Sequence, residues 1–274
     1  MFYDQKYGDF CHMNTNLLFA NSLKLEFIEG NYSKLSPDWR TDNYPYIFTR
    51  LYYIYAGSGL VTCNGKTITM MPGNLYLLPK DLPISYSCPE SMEQLYFHIT
   101  LTNLEGTDIL ANIPKVCQLP CPQAFLNKLK KLSTSSDYCD LLEFKMLVTQ
   151  NILDCLRNAK LPPITTKSYS QDVLQAISYM QNHVTLQVTT TQIAQAIPIS
   201  PNRIHKLFKA ETGMTIGDYL DKLVFSRAAQ LLLDPKLSIG EISRQLGFCD
   251  QYYFSRRFKD KFGQTPSEFR KQRK

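Results

Sequence analysis

Residues 208–219 read Phe-Lys-Ala-Glu-Thr-Gly-Met-Thr-Ile-Gly-Asp-Tyr, and fifty positions later residues 258–269 read Phe-Lys-Asp-Lys-Phe-Gly-Gln-Thr-Pro-Ser-Glu-Phe. The two stretches share Phe-Lys, a Gly four residues after the Lys, a Thr two further on, and an acidic–aromatic pair. An internal repeat constrains a fold more than any single propensity, because one supersecondary unit is being used twice. Upstream of each copy lies a short helical run, a turn and a longer helical run: Thr191–Ala196 then Ser200–Thr212, and Ile239–Leu246 then Asp250–Phe262. The spacing predicts one small all-helical domain with two similar helix pairs, bridged by a helix over Thr215–Leu233.

The helix starts are written in detail. Thr189 with Gln192 and Ser238 with Glu241 match the capping box, in which hydroxyl and carboxyl or amide cap each other's backbone. Ser200-Pro201 and Thr265-Pro266 each set a capping hydroxyl before a proline at the first helical position. A helix pair with a short turn is the geometry that lays a second helix in the DNA major groove. In the first pair Asn202, His205, Lys206 and Lys209 lie opposite the apolar Ile204, Leu207 and Phe208. In the second, Gln251, Tyr252, Ser255, Arg256 and Lys259 lie opposite Phe254 and Phe258. Arg, Lys, Asn and Gln can make paired bonds to base edges, and Lys near helix ends can meet phosphate. One such pair could equally be a helical hairpin with a solvated face; two copies, both basic on the same face, favour double-stranded DNA.

Charge agrees. The net charge of +6 falls on residues 171–274, which carry fifteen Lys and Arg against nine Asp and Glu. The first 170 residues hold fifteen of each. A neutral front and a basic back place the polyanion at the back.

Ser238-Ile239-Gly240-Glu241-Ile242, Gly247-Phe248-Cys249-Asp250-Gln251-Tyr252-Tyr253-Phe254-Ser255-Arg256-Arg257-Phe258-Lys259 and Gly263-Gln264-Thr265-Pro266-Ser267-Glu268-Phe269-Arg270 resemble the signature of the AraC/XylS family of transcription regulators. That family shows Gly-Phe, an acidic residue, Tyr-Phe-Ser-Arg, Phe-Lys and Gly-x-Thr-Pro-Ser in this order, and the likeness spans about the last hundred residues. The resemblance implies base contacts from Asn202, His205 and Lys206 in the first unit and from Gln251, Tyr252, Ser255 and Arg256 in the second. It also implies an activator that works with RNA polymerase. One position departs: Val224, four residues before Ala228, stands where the family usually has Arg.

The front of the chain has a different grammar. From Leu18 to Cys117, short runs rich in Tyr, Ile, Thr and Leu are broken by turn residues, including Asn64-Gly65 between Leu60–Cys63 and Lys66–Met71. Such spacing argues for an antiparallel barrel or a double-sheet sandwich. From Pro122 to Ala159 the apolar period becomes helical. The two prolines in Leu161-Pro162-Pro163 then exclude a helix. The expected organisation is a domain over 1–160 with a helical part at about 122–160, a linker over 161–170, and a DNA-binding domain over 171–274. The fold class is α+β multidomain: an N-terminal antiparallel β-barrel with helices, then an all-α double helix-turn-helix.

Arg50–Leu60, ending Tyr55-Ala56-Gly57-Ser58-Gly59, and the run Met71-Pro72-Gly73-Asn74 to Pro79 are similar to the cupin-like arm of these regulators. Metal-dependent cupins gather several His and a Glu, whereas this region offers only His12 and His98. No metal and no cofactor is expected. A barrel of this kind can still hold a small effector, a sugar or another metabolite. Trp39, Arg40, Tyr86, Tyr96 and His98 are the pocket candidates, since aromatics with hydrogen-bonding tips suit polyols. The stripe Leu141, Leu142, Phe144, Val148, Ile152 and Leu156 is wider than a small barrel needs and suggests a homodimer contact. A cupin-type enzyme with a helical appendage is the rival from another class, and a ligand-independent architectural DNA binder is a third reading.

Eight cysteines lie scattered with no Cys-x-x-Cys pair, which suits reduced thiols. No apolar run reaches the roughly 18 residues of a membrane span, and the first residues lack the layout of a secretory signal. The expected location is the cytoplasm.

Overall fold

The computed structural model describes residues 20–160 and 169–271; the linker core 161–168 and residues 1–19, with His12, lie outside the described residues. Those described fall into two compact units, 24–101 with 108–160, and 20–23 with Thr102–Thr107 and 169–271.

The first unit is antiparallel. Strands β1 (Lys24–Leu35), β8 (Met92–Thr102), β3 (Thr49–Gly57), β6 (Asn74–Leu78) and β9 (Cys117–Pro120) form a five-stranded sheet in the order β1-β8-β3-β6-β9. Strands β2 (Arg40–Pro45), β7 (Pro83–Ser87), β4 (Gly59–Cys63) and β5 (Lys66–Met70) form a second sheet in the order β2-β7-β4-β5. Asn64-Gly65 is the two-residue turn of the β4–β5 hairpin, with Cys63 opposite Lys66. Among the described residues the strands make two separate ladders and no closed barrel, so the double-sheet form is the one adopted.

Because strand side chains alternate, β3 serves two cores. Leu51 and Tyr53 join Leu75, Leu77, Phe97 and Ile99 against the helices α1 (Gln123–Ser133) and α2 (Tyr138–Ala159). Tyr52 and Ile54 join Val61, Met70, Tyr76, Leu78, Ile84 and Met92 on the opposite face, packed with the second sheet. The expected dimer stripe divides here. Val148 and Ile152 are buried, and Phe144 and Leu156, half-buried, pack on the sheet core. Leu141 and Leu142 remain exposed, together with Tyr138, Met146 and Leu153. Seven cysteines among the described residues are unpaired.

The helical unit contains α3 (Gln171–Asn182), α4 (Thr190–Ala196), α5 (Pro201–Thr212), α6 (Ile216–Leu231), α7 (Ile239–Gln245), α8 (Gln251–Phe262) and α9 (Pro266–Lys271). Every start read from the sequence is built. Thr189 and Ser238 head complete capping boxes, and Ser200 accepts from the Arg203 amide. Thr265 accepts from the Glu268 amide at 3.2 Å. The bridging helix α6 has a capping box of its own, Thr215 with Asp218. Both longer helices of the pairs end on a left-handed glycine, Gly213 (φ 77°) and Gly263 (φ 73°), as helix C-termini commonly do.

Six residues from the sheet half of the sequence belong to this unit. Leu104 is buried among Tyr169, Val173, Ile177 and Tyr219, and the Tyr219 hydroxyl donates to the Leu104 carbonyl at 2.9 Å. Lys222 Nζ donates to Thr107 Oγ1 at 2.8 Å. An apolar side chain in a loop is held where it can be covered, so the unit's limits depart from a simple cut at residue 160.

Candidate functional site

The two helix pairs superpose in sequence with one change of register. The caps Thr189 and Ser238 are 49 residues apart, whereas the caps Ser200 and Asp250 are 50 apart, so the second turn is one residue longer. Gly247 (φ 79°) absorbs the extra residue, and a Cβ there would lie 2.3 Å from Thr185 Oγ1. Ser243, buried on α7, braces the turn by donating to the Asp250 carbonyl at 3.0 Å.

On α5 the residues Ile204 and Phe208 are fully buried, and their counterparts on α8 are Phe254 and Phe258. Helical spacing then fixes the other side. Asn202, His205, Lys206 and Lys209 are all exposed on α5. On α8 Gln251, Tyr252, Arg256 and Lys259 are exposed and Ser255 is half-buried beside them. The register pairs Asn202 with Tyr252, His205 with Ser255, Lys206 with Arg256 and Lys209 with Lys259. Tyr252 is 87% exposed, which no core packing explains.

Two neighbouring cations are occupied instead. Arg257 pairs with Asp221 at 2.5 Å and donates to the Tyr253 hydroxyl at 3.1 Å. Lys261 reaches the other Asp221 oxygen at 3.0 Å. Both tie α8 to the bridging helix α6. Arg256 and Arg257 are adjacent in sequence, yet one faces solvent and the other clamps the unit. Arg270 Nε donates to the Leu232 carbonyl at 3.1 Å and so caps the end of α6. Val224, at the family's arginine position, is fully buried and serves only packing.

In the sheet unit four of the five pocket candidates come together in two sets. Trp39 and Tyr86 stack with centroids 4.1 Å apart, and burial holds the Tyr86 hydroxyl well above the usual tyrosine range. Tyr96 Oη donates to Glu29 Oε1 at 2.9 Å while His98 Nδ1 lies 3.1 Å from Glu29 Oε2. Arg40 does not join them. It is paired with Ser87 and exposed, whereas its neighbour Thr41 pairs with Tyr86, so strand alternation sends Arg40 to the other face. Arg50 and Tyr46, outside the set expected from the sequence, stand beside Tyr86. A charged residue within the apolar run Leu51–Ile54 and its neighbours was the available signal. Among the described residues no group of three or more His, Cys, Asp or Glu could hold a metal, and no helix is long and apolar enough to cross a membrane.

The family model described as an AraC-like ligand binding domain matches residues 32–158, and that described as a helix-turn-helix domain matches residues 193–272. The chain is 33% identical over 230 residues to the arabinose operon regulatory protein of Salmonella typhimurium, covering 78% of this chain and 80% of that protein. It is 28% identical over 240 residues to the Msm operon regulatory protein of Streptococcus mutans, covering 81% of this chain and 84% of that protein. Among solved structures it is similar to ToxT from Vibrio cholerae, at 17% identity and a TM-score of 0.48, over 88% of this chain and 97% of that one. With two helices that present polar outer faces on capped helix pairs, C-terminal in sequence to an antiparallel ligand-binding unit, the chain belongs to the AraC/XylS family and is an effector-responsive, DNA-binding transcription regulator rather than an enzyme.

Proposed function

We propose that α5 and α8 read two successive major grooves, about 34 Å apart along one face of the duplex. The observation that carries this is the pair of matched exposed faces, each opposite a buried aromatic or aliphatic stripe on a capped helix. Asn202, His205 and Lys206 on one helix and Gln251, Tyr252, Ser255 and Arg256 on the other contact bases. Lys209 and Lys259, one turn further on, contact phosphate. A footprint of the full chain tests it: each protomer protects an asymmetric site of about two turns, and protection of a single groove per protomer sinks the reading.

The sheet unit holds a small-molecule effector against Trp39, Tyr86, Tyr96 and His98. Relatives named for the arabinose, lactose and xylose operons support a carbohydrate or related metabolite. The protein acts in the cytoplasm as an activator that contacts RNA polymerase when bound. It works as a homodimer through the outer face of α2. Tyr138, Leu142, Met146 and Leu153 lie on one narrow side of that helix at helical spacing, exposed by 89%, 61%, 63% and 39%. Leu142→Glu shifts the sedimenting species from dimer to monomer; a wild-type chain that sediments as a monomer at high micromolar concentration refutes the dimer.

A further inference from the structure

Arg50 is 1% exposed, yet among the described residues none of its three guanidinium nitrogens has a hydrogen-bond partner. It stands in the middle of the five-stranded sheet, on β3, opposite Leu78 of β6 and His98 of β8. Alternation puts it on the same face as Tyr52 and Ile54, which belong to the core packed with the second sheet. Buried charges in folded chains are paired or hydrogen-bonded as a rule, so an orphaned guanidinium on a central strand needs a reason.

Among the described residues, the contacts it makes are with ring faces. The guanidinium carbon lies 3.7 Å from the Tyr46 ring centroid and 5.6 Å from that of Tyr86. Tyr86 stacks on Trp39, and the Tyr46 and Tyr86 hydroxyls hydrogen-bond each other. Aromatic rings stabilise a cation over their faces but leave the in-plane N–H fork unanswered. The carboxylate of Glu29, two strands away on β1, is engaged by Tyr96 and His98. Asp81 is paired with Lys80 at 3.6 Å.

We infer that Arg50 anchors the carboxylate of a small acidic effector, its in-plane fork meeting both oxygens while the Trp39–Tyr86 stack packs on the rest of the molecule. A planar guanidinium with one positive charge matches a planar carboxylate with one negative charge, bidentately. Stacked aromatics beside it suit the apolar face of a sugar ring, so the class is a sugar acid. Tyr46 stands on the connection between β2 and β3, outside either ladder, and is the ring that the ligand displaces from over the guanidinium. The inference rests on the effector reading above and narrows it from any metabolite to an acid.

The test is thermal melting and calorimetric titration of the full chain with glucuronate, galacturonate and gluconate. Glucose, galactose and arabinose serve as neutral controls, and glucose 6-phosphate as the phosphate control. The expected result is that at least one acid raises the melting temperature and the neutral sugars do not. Arg50→Lys, which keeps charge and loses the fork, should weaken that acid at least about tenfold. Arg50→Met should abolish its binding and, without ligand, melt no lower than the wild type, because it removes an unpaired buried charge. If Arg50→Met does not fold, Arg50→Gln carries the same comparison. Binding of neutral sugars alone, unchanged in the Arg50 variants, overturns the anchor and leaves the effector reading standing. Binding of only the phosphate control, lost in the variants, overturns the carboxylate. No response to any compound overturns both.

Discussion

The two helix pairs share one geometry and reach it with different chemistry. The first packs an aliphatic core, with Val173, Ile177, Met180, Ile193 and Ile204 around Phe208 and Tyr219. The second packs rings on rings: Phe258 lies within aromatic reach of Phe225, Phe254, Phe262 and Phe269. The first is capped by neutral groups, Thr189 with Gln192 and then Ser200. The second is capped with carboxylates, Glu241 and Asp250, and is clamped to α6 by Asp221. The helix-turn-helix thus depends on where apolar and capping positions fall, while the identity of the groups filling them varies. In the reading proposed above, the outward faces are then free to read different bases.

The largest expected difference is in the cores. Phe258→Ala should cost about 3–5 kcal/mol, and Phe208→Ala about 3, because removing a ring from the aromatic cluster strips more packing than the aliphatic neighbours lose. Helical circular dichroism of the full chain in urea measures this; equal losses would mean that both cores relax alike.

Next comes reading of the duplex. Arg256→Ala should cost about 1–3 kcal/mol on the cognate site and relax preference at one base pair. Lys206→Ala at the matched position should cost less, since a single ammonium lacks the bidentate fork. Lys209→Ala and Lys259→Ala should each lower the salt slope by about one unit with base preference kept. Quantitative binding across a set of single-base variants separates these outcomes. Unchanged affinity and preference in Arg256→Ala would leave sequence reading to the first helix alone.

A smaller effect tests the clamp. Asp221→Asn frees Arg257 and Lys261 and should destabilise the second pair by about 1 kcal/mol, discounted from a buried pair because all three side chains are partly exposed. Amide exchange should quicken on α8 and stay unchanged on α5; equal quickening would show that the bridging helix transmits the loss.

The smallest effect is in acid. Hydrogen bonds from the Ser238 hydroxyl and backbone hold the Glu241 carboxyl below its ordinary range, and the Tyr253 amide does the same for Asp250. A carboxylate whose folded pKa is depressed contributes stability above its unfolded pKa and loses it as pH falls through the folded one. The caps of the second pair therefore weaken below the ordinary carboxylate range, where Gln192 and Ser200 do not titrate. Exchange measured from pH 6 downward should show α7 and α8 fraying before α4 and α5, and Glu241→Gln should flatten that dependence.

Most of the helical unit was legible in the sequence. The repeat, the caps at Thr189, Ser200, Ser238 and Thr265, and the outward sets on α5 and α8 all follow from signals acting over three to eight residues. Less of the candidate pocket was legible. Alternation alone separates Arg40 from Trp39, but which of the two faced inward depended on β2 pairing with β7. Val224 marked a departure in the sequence; only its burial identified it as a packing residue.

By itself, then, the sequence determined two capped helix pairs with polar outer faces behind an antiparallel sheet domain, because capping, turn and periodicity are local codes. Tertiary structure decided which of the adjacent Arg256 and Arg257 meets solvent, since Asp221 lies 36 residues from its partner Arg257. It divided the apolar stripe of α2 between sheet and outer face, and moved Leu104 into the helical core. It also buried Arg50 between aromatic rings with its N–H fork unanswered. Each of these depends on what a side chain meets across a distance in sequence that no local pattern spans.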